Sequence, residues 1–451
     1  MRLLFDRGTI VLHDLPSSLD PSIIPGVLWD PRIAAWRAPG RLAYPLASEL
    51  RRRDVRLSDR PHPQLSPPTG FQPVALRPYQ QAAFDAWHEA GRRGIVVLPT
   101  GSGKTRIAFA ALAATRTPAL CLVPTRALLQ QWANELGKYY GGPIGCLGDG
   151  QRSLAPITVA TFASAYRNMA LLGDRFGLLI VDEAHHFGNA RHDEALDMAI
   201  APLRLGLTAT PPAPGPTLQR LSTLIGPVRF ELKISELPED SLAPFDRITQ
   251  PLWLEPEEQR TYDDLRTLYR GAFAAFRITH PVAKWDDFIR IAANTDSGRR
   301  AIAAWRSCQR LLAFPRCKQQ ALATWLQRLS DRKTLIFVAD NDTAYRVARE
   351  HLLMPLTCEI GRRERSVMLE HFRSGKIRAL VSAQVLNEGL DVPDADVGIV
   401  VAGRGGEREH TQRVGRLLRP SDGKRALVVE LVVQQSTEVQ NADKRWSRLV
   451  A

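Results

Sequence analysis

The chain has 451 residues, which is longer than one hydrophobic core usually supports, so two to four domains are expected. With 44% hydrophobic and 24% charged residues, its composition is that of an ordinary folded protein and excludes a chain dominated by disorder. The formal charge of +13 favours a polyanionic partner such as nucleic acid, although only nine of the 60 basic residues are lysine, and a general preference for arginine would give the same charge.

The cysteines and the apolar segments indicate the cellular compartment in which the protein is expected. The five cysteines show no CxxC or Cys/His ligand spacing, so we expect reduced thiols rather than a zinc site. Near the N-terminus, Asp6 and Arg7 interrupt the apolar segment that a signal peptide needs. Since no apolar run reaches the roughly 18 residues of a membrane span, we expect a cytoplasmic protein.

The first 65 residues predict a small mixed α+β unit. It starts with the alternating segment LLFDRGTIVLHDL, which is typical of strands. A proline-rich stretch follows, RPHPQLSPPTGFQP from Arg60 to Pro73. It favours an extended linker, because proline has no backbone N–H to donate to a helix or sheet. We therefore place a first domain at residues 1–65.

Strand-like and helix-like segments then alternate along the chain. The runs GIVVLP, ALCLVPT, ITVAT, GLLIVDEA and RLGLTAT predict parallel strands joined by crossover helices over residues 71–245. Residues 246–330 carry helical periodicity and predict a mostly helical insertion. Alternation resumes with TLIFVA, ALVSAQ, VGIVVAG and ALVVELVV, which predict a second α/β domain at residues 331–451.

The stretch LPTGSGKT lies between a predicted strand and a predicted helix, where backbone N–H groups can curl around phosphate oxygens. Gly101 and Gly103 allow that curl, Lys104 would reach the β- and γ-phosphates, and Thr105 would coordinate Mg²⁺. The pattern GxxxxGK[ST] is met except at its first position, which is Leu98. The alternative is a chance turn between strand and helix.

A second candidate element is LLIVDEAHH, in which a buried strand runs directly into Asp182 and Glu183. Ligands bind at the carboxyl ends of strands in open α/β sheets. Asp182 is the candidate for Mg²⁺, through water, and Glu183 for polarising the attacking water. The alternative is a helix N-terminus at which the two acidic side chains only stabilise the helix dipole.

A third candidate element is QRVGRLLRP, where Gln412, Arg416 and Arg419 share one face of a predicted helix that also carries Arg413. A guanidinium brought to the γ-phosphate stabilises the charge of phosphoryl transfer. The alternative is a solvated basic helix, against which Gly415 argues, because glycine costs about 1 kcal/mol inside a helix.

These segments carry a family resemblance that covers nearly the whole chain. LRPYQ, LPTGSGKT, LVPTRALLQQW, VATF, VDEAH, GLTATP, LIFV, SAQVLNEGLDVPDADVGIV and QRVGRLLRP resemble the ordered motifs of a superfamily 2 helicase. Within that superfamily, FDRGTIVL and LIGPVRFELKISEL are most similar to the XPB family, especially compact microbial members.

The resemblance implies an α/β protein with two RecA-like P-loop domains with parallel sheets, a small mixed N-terminal domain directed at damaged DNA and a helical thumb-like insertion. It implies an ATP- and Mg²⁺-dependent 3′-to-5′ DNA helicase or translocase with a DEAH box, acting in DNA repair. Its expected partners are DNA with single- and double-stranded junctions and a nuclease or repair protein. We expect a monomer.

The resemblance also assigns roles to individual residues. Those that would hold the nucleotide are Arg77, Gln80, Thr100, Gly101, Ser102, Gly103, Lys104, Thr105, Gly389 and Asp391. Those that would act in hydrolysis are Lys104, Asp182, Glu183, Gln412, Arg416 and Arg419, with Thr105 and Asp182 at the metal. His185, Thr208 and Thr210 would couple nucleotide state to domain closure, and Arg126, Thr161 and Ser382 would contact the tracking strand.

One departure from the family pattern bears on activity. XPB-type proteins usually carry an Arg-Glu-Asp triplet tied to unwinding just after TATP, whereas this chain has PAPGP from Pro212 to Pro216. Proline and glycine make a turn and offer no charge to a duplex end. Translocation or remodelling of DNA is therefore expected rather than vigorous strand separation. The alternatives are an ATP-gated DNA-binding switch without processive unwinding and an RNA helicase.

Overall fold

The computed structural model describes residues 1–190, 192–233, 236, 245–383, 395–402 and 425–442. These residues fall into two compact units, one formed by residues up to 236 and one by residues from 245 onward. In the part of the chain that the structure describes, no helix is both long enough and apolar enough to span a membrane.

Residues 1–60 form a small antiparallel sheet covered by one helix. Its elements are β1 (Arg2–Asp6), β2 (Thr9–His13), β3 (Leu28–Asp30), β4 (Ala35–Pro39) and α1 (Ala43–Arg52), with short 3-10 turns at Pro21–Ile23 and Gly40–Leu42. The strand order is β1-β2-β4-β3. Arg7 and Gly8, with φ of 46° and 91°, make the tight β1–β2 turn that matches the twist of the two strands. Alternate residues such as Leu3 and Ile10 face Leu46 and Leu50 in a common core.

A parallel sheet with crossover helices forms the rest of the first unit. Its strands are β5 (Arg93–Val97), β6 (Ala119–Val123), β7 (Ile144–Gly148), β8 (Gln151–Arg152), β9 (Ile157–Thr161), β10 (Leu178–Val181), β11 (Leu203–Thr208) and β12 (Val228–Glu231). Its helices are α2 (Pro78–Glu89), α3 (Lys104–Thr115), α4 (Arg126–Leu136), α5 (Phe162–Leu172), α6 (Glu194–Asp197) and α7 (Pro216–Leu224). Strands β6, β9 and β10 are buried along their whole length, as expected for strands covered by helices on both faces.

The strand order in this sheet brings the sequence motifs together. It runs β12-β5-β11-β10-β6-β9-β7-β8, and all pairs are parallel except β7 with β8. Strand β11 therefore lies between β5 and β10, with Thr208 opposite Val97 and Gly206 opposite Val181. Because parallel strands end at the same edge, the segments after β5, β10 and β11 emerge side by side.

The second unit contains another parallel sheet and a set of helices. Its strands are β13 (Phe245–Leu252), β14 (Thr334–Phe337), β15 (Met354–Leu356), β16 (Ala379–Ser382), β17 (Val397–Val400) and β18 (Ala426–Val433). Its helices are α8 (Pro256–Thr279), α9 (Trp285–Ala292), α10 (Asp296–Ala313), α11 (Arg316–Arg328), α12 (Asn341–His351) and α13 (Arg362–Arg373). The strand order among the described residues is β13-β18-β17-β14-β16-β15, and every pair is parallel.

The segment predicted as a helical insertion divides between two cores. Helices α8, α9 and α10 share one apolar cluster that includes Tyr262, Phe288 and Cys308. Helix α11 instead packs on the second sheet through residues such as Leu322. The segment also begins with strand β13, which pairs with β18. The predicted α/β class, with two parallel sheets, a small mixed N-terminal unit and a helical segment, is confirmed.

Three partly buried tryptophans, Trp285, Trp305 and Trp325, pack against the apolar clusters of this segment and of the second sheet. Trp285 lies 5.6 Å from Trp305 between ring centroids and also contacts Phe288 at 5.0 Å. The Trp325 indole N–H donates to Gln250 Oε1 at 2.6 Å. Tryptophans at helical spacing in an apolar region are more often packing residues than exposed stacking platforms, and these contacts are of the packing kind.

Candidate active site

The lysine loop after β5 has the backbone that a phosphate cradle needs. Gly101 and Gly103 adopt left-handed φ of 87° and 77°, and helix α3 begins at Lys104. Lys104 is 9% exposed, and its Nζ donates to the carbonyls of Leu98 at 3.1 Å and Pro99 at 3.2 Å. The N-terminal end of α3, with its positive dipole, and the Lys104 ammonium together favour an anion.

Gln80 is positioned against this loop. It is 2% exposed, its Nε2 donates to Ser102 O at 2.7 Å, and its Oε1 accepts from Arg77 N at 2.9 Å. Tyr79 Oη donates to the same Ser102 carbonyl at 2.9 Å. A Cβ on Gly103 would lie 2.6 Å from Gln80 Nε2, and the φ of 77° is one that L side chains rarely adopt, so both space and backbone conformation favour glycine there. Gln80 thus holds the lysine loop in place through its hydrogen bond to Ser102 O. Its predicted contact with adenine stays a prediction.

Asp182 is the most constrained carboxylate of the site. It is 7% exposed, its Oδ1 accepts from Glu183 N at 2.9 Å, and its Oδ2 accepts from Trp132 Nε1 at 2.9 Å. Burial raises the pKa of Asp182 to about 6 and the Glu183 charge adds to the rise, whereas Lys104 and the Trp132 N–H oppose it. A carboxylate in this environment is stabilised by a cation placed beside it.

Glu183 and His185 connect the acid pair to the end of β11. Glu183 has a left-handed φ of 47°, and its Oε2 lies 3.5 Å from His185 Nδ1. His185 Nδ1 is also 3.0 Å from Thr208 Oγ1, which donates to Thr210 O at 3.3 Å. The structure therefore brings together the three residues predicted to couple nucleotide state to movement.

Polar atoms around these loops fit the nucleotide and Mg²⁺ that the sequence implies. Thr100 Oγ1, Glu183 Oε2 and Thr210 Oγ1 are buried and make no hydrogen bond among the described residues; the 3.5 Å contact of Glu183 Oε2 with His185 Nδ1 is an ion-pair distance and not a hydrogen bond. Buried polar atoms rarely lack a partner, so such a group marks a place where a ligand or water binds. Thr105, in the first turn of α3, and Asp182 are the residues that would hold Mg²⁺.

The three residues predicted to contact nucleic acid lie in both units. Arg126 begins α4, its side chain is 76% exposed, and its guanidinium lies 3.8 Å from Asp149. Thr161 caps α5 by accepting from Ser164 N at 3.3 Å. Ser382 is fully buried and donates to Ala383 O at 3.1 Å. Their nucleic-acid roles stay predictions.

Several predicted residues lie outside the described part of the chain. They are Gly389, Asp391, Gln412, Arg413, Arg416 and Arg419. The PAPGP segment is described, and it makes a turn at Pro214–Gly215 before α7 begins at Pro216. Sequence reasoning did not find Tyr79 or Trp132. Tyr79 stands beside Gln80 in LRPYQ, whereas nothing in the local sequence of Trp132 points to Asp182.

The fold and the site define a class of protein. A sequence model described as "Type III restriction enzyme, res subunit" matches residues 73–213, and one described as "Helicase conserved C-terminal domain" matches residues 317–421. The fold is similar to the Pyrococcus furiosus Hef helicase domain, with a TM-score of 0.54, 19% identity and coverage of 82% of this chain and 98% of that one. Together with the lysine loop and the acid pair, these likenesses define a superfamily 2 helicase.

The N-terminal unit and the relatives then identify the family. A model described as "Xeroderma pigmentosum group B helicase damage recognition domain" matches residues 3–60. The DNA 3′-5′ translocase XPB2 of Sulfurisphaera tokodaii is 32% identical over 433 residues, which cover 95% of this chain and 97% of that protein. The chain belongs to the XPB family. A DNA 3′-5′ helicase XPB of Mycobacterium tuberculosis is 29% identical over 82% of this chain and 63% of its own length.

Proposed function

We propose that the protein is a DNA-dependent ATPase that moves 3′ to 5′ on DNA and remodels it, with a role in DNA repair. The observation that carries the proposal is the link from Glu183 through His185 to Thr208, beside the lysine loop. It joins the candidate hydrolytic carboxylate to the segment predicted to sense nucleotide state. The names of the Sulfurisphaera and Mycobacterium relatives, a 3′-5′ translocase and a 3′-5′ helicase, support the polarity.

The described residues divide the work of hydrolysis. Lys104 and the first N–H groups of α3 bind the β- and γ-phosphates and orient the triphosphate. Glu183, fixed in left-handed backbone geometry at the end of β10, orients the attacking water. Thr105 and Asp182 would hold Mg²⁺, which would supply charge neutralisation at the phosphate oxygens. By family resemblance, Gln412, Arg416 and Arg419 add positive charge at the transferred phosphoryl group, and Gly389 and Asp391 contact the nucleotide.

Coupling to movement is assigned to the hydrogen-bonded path from His185 to Thr210. A change at the γ-phosphate alters the position of Glu183 and His185, and Thr208 carries that change into the segment after β11. This segment continues into the PAPGP turn, which offers no charge to a duplex end. The proposal therefore favours translocation or remodelling over vigorous strand separation.

The partners and location follow from this activity. DNA with junctions of single and double strands is the proposed substrate, and a nuclease or repair protein is a proposed partner. The protein is proposed to act as a monomer in the cytoplasm, where ATP and chromosomal DNA meet in a microbial cell. Each residue role proposed above needs only one copy of the chain.

A comparison of polymers tests the proposal. ATP turnover is measured without polymer, with DNA and with RNA, followed by strand displacement on substrates with 3′ or 5′ tails. We expect stimulation by DNA above RNA and, where displacement occurs, dependence on a 3′ tail. Stimulation by RNA alone would indicate an RNA helicase, and slow DNA-independent turnover would indicate an ATP-gated binding switch.

The variant Lys104→Ala tests the proposed contact of the lysine loop with the phosphates. Removing the ammonium should lower turnover by at least about 100-fold, because electrostatic stabilisation of the transferred phosphoryl group is lost. Circular dichroism and the thermal midpoint check that the fold is retained. A folded Lys104→Ala protein that still hydrolyses ATP at the wild-type rate would contradict the assignment of this loop.

A further inference from the structure

Trp132 lies at the back of the candidate site and makes one polar contact. Its side chain is 2% exposed, and its indole N–H donates to Asp182 Oδ2 at 2.9 Å. The other carboxylate oxygen accepts from Glu183 N at 2.9 Å. One hydrogen bond to each oxygen fixes the plane of the carboxylate, which a lone backbone donor would leave free to rotate.

The indole is itself held by the helix that carries the lysine loop. Its ring meets Phe109 of α3 edge to face, with ring centroids 5.5 Å apart and an angle of 84° between the planes. Phe109 also contacts Tyr139 at 5.7 Å. A cavity of about 210 Å³ opens beside these rings and is lined by Thr105, Leu128 and Gln131 as well. Trp132 is therefore clamped between α3 and the segment after β10.

Helix α4 connects this indole to an exposed surface. The helix begins at Arg126, whose side chain is 76% exposed, and Thr125 caps it by accepting from Leu128 N at 3.3 Å. Leu129, Trp132 and Leu136 are its buried residues. Arg126 and Trp132 lie less than two turns apart on this helix, about 9 Å along its axis, so one short element carries both the exposed and the buried side chain.

We propose that Trp132 is a positioning residue that holds Asp182 in the orientation needed for Mg²⁺ and passes displacements of α4 to that carboxylate. The inference deepens the proposed function and rests on it, because it needs Asp182 to be a metal-binding group and Arg126 to face DNA. It assigns to α4 a direct mechanical connection between the polynucleotide surface and the hydrolytic centre.

Trp132→Phe tests the inference by keeping an aromatic ring against Phe109 while removing the N–H. Two quantities are measured: the Mg²⁺ concentration that half-saturates binding of the fluorescent nucleotide mant-ADP, and the ratio of ATP turnover with and without DNA. We expect the Mg²⁺ requirement to rise on the order of tenfold, as losses of groups behind metal ligands do, and the stimulation ratio to fall severalfold.

Trp87→Phe is the matched control. Trp87 is fully buried in the same unit, and its indole N–H donates to a backbone carbonyl, Arg204 O, at 3.0 Å. The substitution removes a buried indole hydrogen bond of the same kind on helix α2. We expect a similar fall in thermal midpoint, with the Mg²⁺ requirement and the stimulation ratio unchanged.

The outcomes separate the inference from the proposed function. If Trp132→Phe matches Trp87→Phe in either quantity, the inference is wrong, while a wild-type protein stimulated by DNA leaves the proposed function intact. If wild type shows no DNA-stimulated turnover, the proposed function fails, and mant-ADP binding still reports whether Trp132 affects Mg²⁺. Should Trp132→Phe not fold, benzothienylalanine at position 132 keeps the indole shape without the N–H and gives the same comparison.

Discussion

Glu183 is a non-glycine residue held in left-handed backbone geometry, with φ of 47°. This conformation costs roughly 1–2 kcal/mol for an L-residue and persists only where the surroundings fix it. Here β10 precedes Glu183, a 3-10 turn at Ala184–His186 follows it, and its amide is bound by Asp182. The strain lies on the residue that we propose orients the attacking water, so we interpret it as part of the proposed catalytic geometry.

Asp182 gives a prediction about stability and pH. Burial raises the pKa of its carboxyl from 3.8 to about 6, so the folded chain holds this proton more tightly than the unfolded chain does. The free energy of unfolding contributed by Asp182 therefore falls as pH rises through this window and is larger below it. Compared with Asp182→Asn, the wild type should gain stability as pH is lowered from 7 to about 4.5.

Thermal denaturation of both proteins across this pH range measures the effect. The informative quantity is the direction in which the stability difference between the two proteins changes with pH. Its absolute size also contains the changed hydrogen bonding of asparagine. A difference between wild type and Asp182→Asn that stays constant with pH would show that the carboxyl is not buried as described.

At the scale of elements, an ion-pair network joins the N-terminal sheet to the first parallel domain. Arg41 donates to Asp197 at 2.6 Å, Asp197 also pairs with Arg220, and Arg220 reaches Asp193 at 3.3 Å. Asp193 in turn accepts from Gly188 N at 2.8 Å, just after the DEAH segment. The N-terminal unit is thus linked through side chains to the loop that follows the candidate hydrolytic acids Asp182 and Glu183.

Arg41→Met should weaken this junction. Arg41 and Asp197 are each about one-fifth exposed, so loss of the charged hydrogen bond should cost about 1–2 kcal/mol and lower the thermal midpoint. Arg2→Met is the control, because Arg2 makes a pair of equal length with Asp14 in the same sheet, but both side chains are about half exposed. Equal midpoints for the two variants would mean that the Arg41 network adds nothing to the junction.

The elements that sequence could predict are those with a strong local period. Apolar runs followed by helical segments identified the parallel strands, and the lysine loop was found because its glycines and lysine are contiguous. Strand β13 was not identified, because half of its sequence FDRITQPL is polar and its partner β18 is distant in the chain, with Phe245 opposite Ala426. Pairings of this range leave no local signal.

At the scale of the molecule, motif order predicted the class and family, and the comparisons confirm both. The residues that hold the motif side chains in position could not be predicted from the sequence. Trp132 and Asp182 are 50 positions apart, and Tyr79 and Ser102 are 23 apart, so each contact exists only after the sheet has formed. A family motif names the reacting groups, whereas the residues that hold them depend on packing between elements.

In the proposed function, ATP cleavage moves this chain along DNA in one direction. Displacement of streptavidin from biotinylated DNA, single-stranded or duplex, measures that movement directly, with Lys104→Ala as the inactive control. We expect ATP-dependent release from the 5′ end of the tracked strand, since the proposed movement runs 3′ to 5′, and no release with the variant. Retention of streptavidin at both ends, while ATP is being hydrolysed at a DNA-stimulated rate, would contradict it.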